Sequence, residues 1–150
     1  MQTTKEAVIG RRDLMEFRDL KREIAAQTRR ADELERRVRE YERGVWVFGS
    51  QRRKRPQAAP DSVIQAKIGM EVSIIMNLEK LEKRAAEIEN AVQRVESPLH
   101  RELLRLRYID GLEWEAVAGR VGYVTRQCLR HHRAALEMLE HTQSVAGGET

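Results

Sequence analysis

Apolar side chains spaced at alternating steps of three and four residues are the feature that most constrains this chain. The pattern runs from Phe17 to Val45 without a proline, and a similar pattern continues from Ile74 to Val95. Steps of three and four place side chains on one face of an α-helix, and a heptad stripe of this kind packs against a partner helix. The sequence therefore predicts two long amphipathic helices that need a partner.

The composition agrees with a helical and strongly hydrated protein. Charged residues make up 35% of the chain, aromatic residues make up 5%, and there are only three prolines. No stretch approaches the roughly 20 apolar residues that span a bilayer, and the N-terminus lacks the apolar run of a signal peptide. We therefore expect a cytoplasmic protein with no membrane partner.

We predict an all-α fold in which long, coiled-coil-like helices precede a C-terminal helix-turn-helix domain. Residues 1–96 form a helical oligomerisation region, with its two helices joined by a basic loop near 44–61, and residues 142–150 form a flexible tail. The helices fold back on each other, pair between chains, or do both, and we expect a homo-oligomer. The side chains predicted at the oligomerisation seam are Phe17, Leu20, Ile24, Leu34, Val38, Tyr41, Leu78, Leu81 and Ile88.

Positive charge is concentrated in the joining loop. Residues 44–60 contain four basic side chains and no acidic one, and the four are consecutive: Arg52, Arg53, Lys54 and Arg55. Two interpretations stay open for this loop. It is either a solvated linker or an arm that contacts DNA phosphates, in which case each contact adds to a salt-dependent affinity.

Residues 97–141 carry the pattern that indicates a function. Ser97 followed by Pro98 is typical of a helix start, with a capping hydroxyl and a proline in the first turn. Gly111 and Gly122 mark two turns, since glycine adopts the positive φ that ends a helix. The result is three short helices, the last of which opens near Thr125. Two helices joined by a tight glycine turn predict a helix-turn-helix.

The exposed start of the last helix has the chemistry of DNA reading. A recognition helix enters the major groove with its first turns against the base edges, where arginine pairs with guanine and glutamine with adenine. Arg120 and Arg133 are predicted to contact the DNA backbone. The alternative is a small helical bundle whose outer face merely happens to be polar. The predicted base-reading residues are Thr125, Arg126, Gln127 and Arg130.

Other chemistries find little support in the sequence. Cys128 is the only cysteine, so there is no disulfide framework or thiolate cluster, and we interpret it as a small buried hydrophobe. His131 and His132 are neighbours that point about 100° apart on a helix, with no further metal ligand nearby. No nucleophile, phosphate loop or ligand set is evident. We therefore predict no enzyme activity, metal, cofactor or small-molecule substrate.

The run LLRLRYIDGLEWEAVAGRVGYVTRQCLRHHRAALEML, residues 103–139, resembles the part of sigma factors, region 4, that binds the upstream promoter element. It is more similar to phage and prophage late-gene regulators of the ArpU and RinA type. Val124 stands where these proteins usually have a capping serine, and His131 stands where an aliphatic residue is commoner. The resemblance implies a sequence-specific transcriptional regulator that binds double-stranded DNA with host RNA polymerase, in the nucleoid of a bacterial host cell.

Two other functions remain as alternatives. A small-terminase-like DNA-packaging subunit of a phage also joins a helix-turn-helix to oligomerising helices, although small terminases usually place the DNA-binding part first. A coiled-coil adaptor would instead bind protein through the long helices. Binding to promoter DNA compared with random DNA separates the adaptor from the first two.

Overall fold

The computed structural model describes residues 8–44 and 55–148, with side chains described as far as residue 145. All regular secondary structure in these ranges is helical, which confirms the all-α class. Five α-helices follow in order, with one π-helical turn after the third. Their bounds are α1 (Arg11–Arg43), α2 (Asp61–Gln93), α3 (Pro98–Leu104), the π turn (Arg105–Ile109), α4 (Trp114–Val121) and α5 (Thr125–Gly148).

The described residues group into two compact units. One unit combines residues 8–21 with 81–148, and the other contains residues 22–44 and 55–80. The division therefore falls inside α1 and α2, whereas the sequence prediction placed a domain boundary at residue 97. The first unit holds the C-terminal helices together with the beginning of α1 and the end of α2.

The main core of the first unit joins distant parts of the chain. Leu14 and Phe17 of α1 are buried together with Ile88 of α2 and with Leu139 of α5. Phe17 and Ile88 were predicted at a seam between helices of an oligomer, but their side chains are enclosed by the chain itself. This prediction is therefore wrong for both residues, because a side chain filling its own core has no surface left for another chain.

The start of α1 is tied to α5 and to the π turn by hydrogen bonds as well as by packing. The backbone N–H of Ile9 donates to Gln143 Oε1 at 2.6 Å, and Gln143 Nε2 donates to the Ile9 carbonyl at 2.7 Å. Lys21 Nζ donates to the carbonyl of Ile109. These bonds satisfy backbone groups that would otherwise be costly to bury.

The second unit is an antiparallel pair of helical segments from one chain. Asn77 Nδ2 donates to Gln27 Oε1 at 3.0 Å, and the N–H of Gln57 donates to the Tyr41 carbonyl at 2.9 Å. Ile24, Leu34, Val38 and Tyr41, from the predicted seam, are partly buried. The structure thus places the two long helices against each other within the chain. Of the other predicted seam residues, Leu20 and Leu81 in the first unit are partly buried and Leu78 is exposed.

One face of α2 in the second unit is apolar and exposed. We call it the outer face of α2, and it consists of Ile68, Val72, Ile75 and Met76, which are 47–58% exposed. Their spacing places them along one side of the helix over about two turns. Scattered single apolar residues on a surface are ordinary, whereas a contiguous stripe indicates a contact surface.

The turn from α2 into α3 follows its sequence prediction. Ser97 caps α3, with its hydroxyl accepting a hydrogen bond from the N–H of His100 at 3.3 Å, and Pro98 stands in the first turn. After Leu104 the helix widens into the π turn, in which the N–H of Asp110 donates to the Arg105 carbonyl at 2.9 Å. Gly111, at φ 74°, then ends the helix as predicted.

A smaller core supports α4 and α5. Val117 and Ala118 of α4 pack with Cys128 of α5, which is fully buried as predicted. Ala118 is the small residue that faces this core, whereas its neighbour Gly119 is exposed and nothing lies within 4 Å of the position its Cβ would take. Helix α5 continues through Gly148, so the predicted flexible tail is helical as far as that residue.

No helix in residues 8–44 and 55–148 is both long enough and apolar enough to cross a membrane.

Candidate nucleic-acid interface

The predicted base-reading residues lie on the first two turns of α5. Arg126, Gln127 and Arg130 are exposed, and Thr125 is partly exposed at the first helical position. Arg120, near the end of α4, and Arg133, one turn further along α5, are exposed as well. The structure thus brings all six residues that were predicted to contact DNA from this region to the surface of adjoining elements.

The connection between α4 and α5 is short and sharply bent. Gly122 ends α4 in the left-handed region at φ 76°, and its N–H donates to the Ala118 carbonyl at 2.9 Å. The N–H of Tyr123 donates to the same carbonyl at 3.2 Å. A residue with a Cβ is strained at this φ, so glycine is the residue that allows the tight turn.

Apolar side chains stand among the cations, and their exposure was not predicted from the sequence. Leu129 is 45% exposed and lies on α5 one turn after Arg126 and next to Arg130 in the sequence. Val124 and Tyr123, in the turn before the helix, are also exposed. The exposure of Leu129 could have been predicted from its position one turn after Arg126, which places it on the outer side of α5. An exposed aliphatic group at this place suits contact with a thymine methyl group.

Two arginines, Arg101 of α3 and Arg105 of the π turn, have structural roles instead. Arg101 Nη1 donates to the carbonyls of Val95 and Glu96 at 2.6 and 3.0 Å. Arg105 lies 3.5 Å from the carboxylate of Glu89. Arg101 satisfies carbonyls left open after the end of α2, as cations at helix C-termini commonly do. These cations therefore hold the unit together, and only part of the local positive charge is available to a ligand.

An aromatic cluster lies between the start of α1 and α5. Tyr108 Oη and His132 Nε2 share a hydrogen bond of 2.6 Å, and the Trp114 ring packs edge-on to His132 at 4.6 Å between ring centroids. Burial, followed by the charges of Arg11 and Arg107, lowers the pKa of His132 to about 4. Burial raises the pKa of Tyr108. Both groups are consequently neutral near pH 7, which lets them share a hydrogen bond inside the unit.

Arg107 connects this cluster to the beginning of α4. Its guanidinium lies 4.7 Å from the centroid of the Trp114 ring, and its Nη1 donates to the Leu112 carbonyl at 3.0 Å. Trp114 is partly buried and packs against the smaller core. Cation–π contacts of this kind contribute about 0.5 to 2 kcal/mol, which helps to fix the start of α4.

A second ring cluster borders the exposed start of α5. The rings of His100 and His131 are 5.9 Å apart, and the rings of His131 and Tyr123 are 5.5 Å apart. Burial, followed by the neighbouring His131, lowers the pKa of His100. His131 stands at the position where the sequence departs from its resemblance, and here it packs against other rings instead of an aliphatic core.

Of the four basic side chains in the joining loop, the structure describes only one. Arg55 is exposed, whereas Arg52, Arg53 and Lys54 lie outside the described residues. The contact of this loop with DNA phosphates stays a prediction.

Within the described ranges, no group of three His, Cys, Asp or Glu side chains is arranged to hold a metal ion.

No family model, curated protein or solved structure matches this chain. Because a fold alone does not define a function, the chemistry of the surface around α4 and α5 is what indicates one.

Proposed function

We propose that the chain is a sequence-specific DNA-binding transcriptional regulator, and that α4, the glycine turn and α5 are a helix-turn-helix. The observation that carries this proposal is the exposed group of Arg126, Gln127 and Arg130 on the first turns of α5, directly after the Gly122 turn. In a helix-turn-helix these turns lie in the major groove. The same helix end presents free N–H groups, which favour phosphate nearby.

The surrounding residues agree with a role in reading bases. Arg126 and Arg130 suit guanine, Gln127 suits adenine, and the exposed Leu129 adds an apolar group for thymine. Arg120 and Arg133 extend the positive surface on either side, where contacts with phosphates fix the register without carrying sequence information. The proposal includes action at phage or prophage late promoters together with host RNA polymerase, for which the support is the resemblance of residues 103–139.

Self-association through the outer face of α2 is part of this proposal. A second copy of the chain is the occupant that fits, because the apolar stripe is centred near Val72 and its flanks are polar. In an antiparallel pair about that centre, Ile68 faces the partner's Met76 and Gln65 faces the partner's Glu79. A parallel pair would set each Glu79 against its own copy, and like charges at close range are unfavourable. A dimer matches the two half-sites of typical operators.

The test starts with selection of binding sites from random duplex DNA by the full chain. Arg126→Ala and Arg130→Ala are each expected to lower the preference for the selected site over random DNA by about five- to 150-fold, since a bidentate base contact contributes about 1 to 3 kcal/mol of discrimination. Arg133→Ala should weaken both DNAs alike. Arg12→Ala, on an exposed part of α1, is the control for the change in net charge.

Affinities are measured by fluorescence anisotropy at a fixed salt concentration, and circular dichroism verifies that each variant is folded. Failure to enrich any sequence would refute sequence-specific binding. Folded variants of Arg126 and Arg130 that keep the full preference would refute the assignment of these residues as base readers.

A further inference from the structure

A small pocket in the first unit is lined by three arginines. Its volume is about 90 Å³, and it lies where the start of α1 meets the π turn, α4 and α5. Arg11 and Arg18 come from α1, and Arg107 comes from the π turn. The remaining lining residues are Met15, Asp19, Tyr108, Trp114 and His132. None of the base-reading residues takes part, so this is a different site.

The charges in this pocket are not balanced by its own acids. Asp19 is the one acidic lining residue, and Glu113 lies beside the pocket, with one oxygen 2.9 Å from Arg18 Nη2 and the other 3.5 Å from Arg107 Nη1. Burial, followed by the neighbouring Arg18, lowers the pKa of Arg107. Three guanidinium groups brought together at a partly dry site favour an anion.

One donor of a lining residue has no acceptor. The side chain of Arg18 is only 12% exposed, and its Nε is buried with no hydrogen-bond partner among the described residues. A buried donor without a partner is rare, because it loses its hydrogen bonds to water without replacement. This unsatisfied N–H adds to the positive potential beside the pocket, which favours an anion there.

The size of the pocket limits the ligand to a small group. A single water needs roughly 10 to 15 Å³ of such space, and drug-sized ligands occupy about 300 Å³ or more. A volume of about 90 Å³ thus admits a group of a few heavy atoms. Two of the lining residues, Arg107 and Tyr108, belong to the π turn, and single π turns frequently occur at functional sites.

We propose that this pocket binds a phosphate group, held by the guanidinium groups of Arg11, Arg18 and Arg107. Arginine suits this chemistry because its planar fork donates two parallel hydrogen bonds to phosphate oxygens. The aromatic wall of Tyr108, Trp114 and His132 keeps the inner side of the site partly dry, which strengthens each charge-assisted bond. The phosphate belongs either to the DNA backbone or to a free phosphorylated ligand.

The first experiment uses the full chain, inorganic phosphate and no DNA, so its result does not depend on the proposed function. Nuclear magnetic resonance follows the indole N–H signal of Trp114 and the ring signals of His132 during titration at constant ionic strength, with chloride as the reference ion. We expect saturable shifts with phosphate and a higher pKa of His132 in the bound form, because phosphate offsets the cations that lower it.

Arg11→Gln and Arg12→Gln form the decisive pair of variants. The two arginines are neighbours on α1 and both are exposed, but only Arg11 lines the pocket, whereas Arg12 is 91% exposed and pairs with Glu16. Arg11→Gln should raise the phosphate Kd at least about threefold, and Arg12→Gln should change it less than about twofold. Arg18→Lys keeps the charge but loses the planar guanidinium fork, and we expect the phosphate Kd to rise about tenfold.

The DNA affinities of Arg11→Gln and Arg12→Gln distinguish between the two sources of the phosphate. A DNA phosphate in the pocket predicts weaker DNA affinity for Arg11→Gln than for Arg12→Gln. A free phosphorylated ligand predicts equal DNA affinities together with the loss of phosphate binding in Arg11→Gln. The proposal is overturned if phosphate produces no saturable shift in the unaltered chain and the pair shows no difference in DNA affinity, or if both variants bind phosphate equally well.

Discussion

Replacing His132 with glutamine tests whether the buried imidazole makes the fold sensitive to acid. His132 contacts Tyr108 and Trp114 and feels the charges of Arg11 and Arg107. Its pKa falls from 6.5 to about 4 in the folded chain. Between these values the unfolded chain binds a proton that the folded chain does not bind, so the free energy of unfolding decreases as the pH falls.

The size of this loss follows from the pKa change. Each pKa unit corresponds to 1.36 kcal/mol, so the depressed pKa removes about 2 to 3 kcal/mol of stability between about pH 7.5 and pH 4.5. Above about pH 7.5 the contribution vanishes because the imidazole is neutral in both states. His132→Gln keeps a group that bonds Tyr108 but does not titrate, and its stability should depend less on pH by about this amount.

Urea unfolding at the two pH values, followed by circular dichroism, measures the difference. The quantity compared is the change in the free energy of unfolding between the two pH values. A general loss of stability in the variant does not affect this change. His141→Gln is the matched control, since His141 is an exposed histidine on the same helix. The reasoning is refuted if His132→Gln loses as much stability on acidification as the unaltered chain does.

Two further predictions concern the helix surface and the turn. Val72→Asp combined with Ile75→Asp places charges on the outer face of α2, and we expect sedimentation to report monomers. The circular dichroism spectrum should not change, because both positions are exposed. A persisting dimer would exclude this face as the contact between chains. Gly122→Ala should lower the free energy of unfolding by about 1 to 2 kcal/mol, since φ is positive there. Gly119→Ala, in open space on α4, should instead raise it by up to about 1 kcal/mol, and equal effects in urea unfolding would contradict the argument.

The long helices were predictable because their spacing pattern is long and regular. The observed α2, Asp61–Gln93, begins at the end of the predicted loop near 44–61 and ends within a few residues of position 96, where the predicted helical region ends. The partners of each helix were not predictable in this way. An apolar stripe predicts that one face of a helix is buried, but it does not predict which residues cover that face. Phe17 shares a core with Leu139, whereas Ile24 lies in the antiparallel helical pair of the second unit.

The surface around α5 was predictable because glycine turns and charged helix starts are local signals. Gly111, Gly122 and the exposed arginines of α5 all lie where the sequence placed them. The arginine pocket was not foreseen, since Arg18 and Arg107 are 89 positions apart and meet only through the tertiary fold. The π turn was also not foreseen, because the apolar residues Leu103, Leu104 and Leu106 are equally compatible with an ordinary α-helix.

The hydrogen bonds between Ile9 and Gln143 imply an order of events during synthesis on the ribosome. Their partners are 134 positions apart, so this contact forms only after the chain has been translated as far as Gln143. The helical pair of residues 22–44 and 55–80 contains closer contacts and is complete much earlier. Until then the side chains of Leu14 and Phe17 stay exposed, because most of their core partners have not yet been translated. During this period the nascent chain exposes an apolar segment to which chaperones can bind.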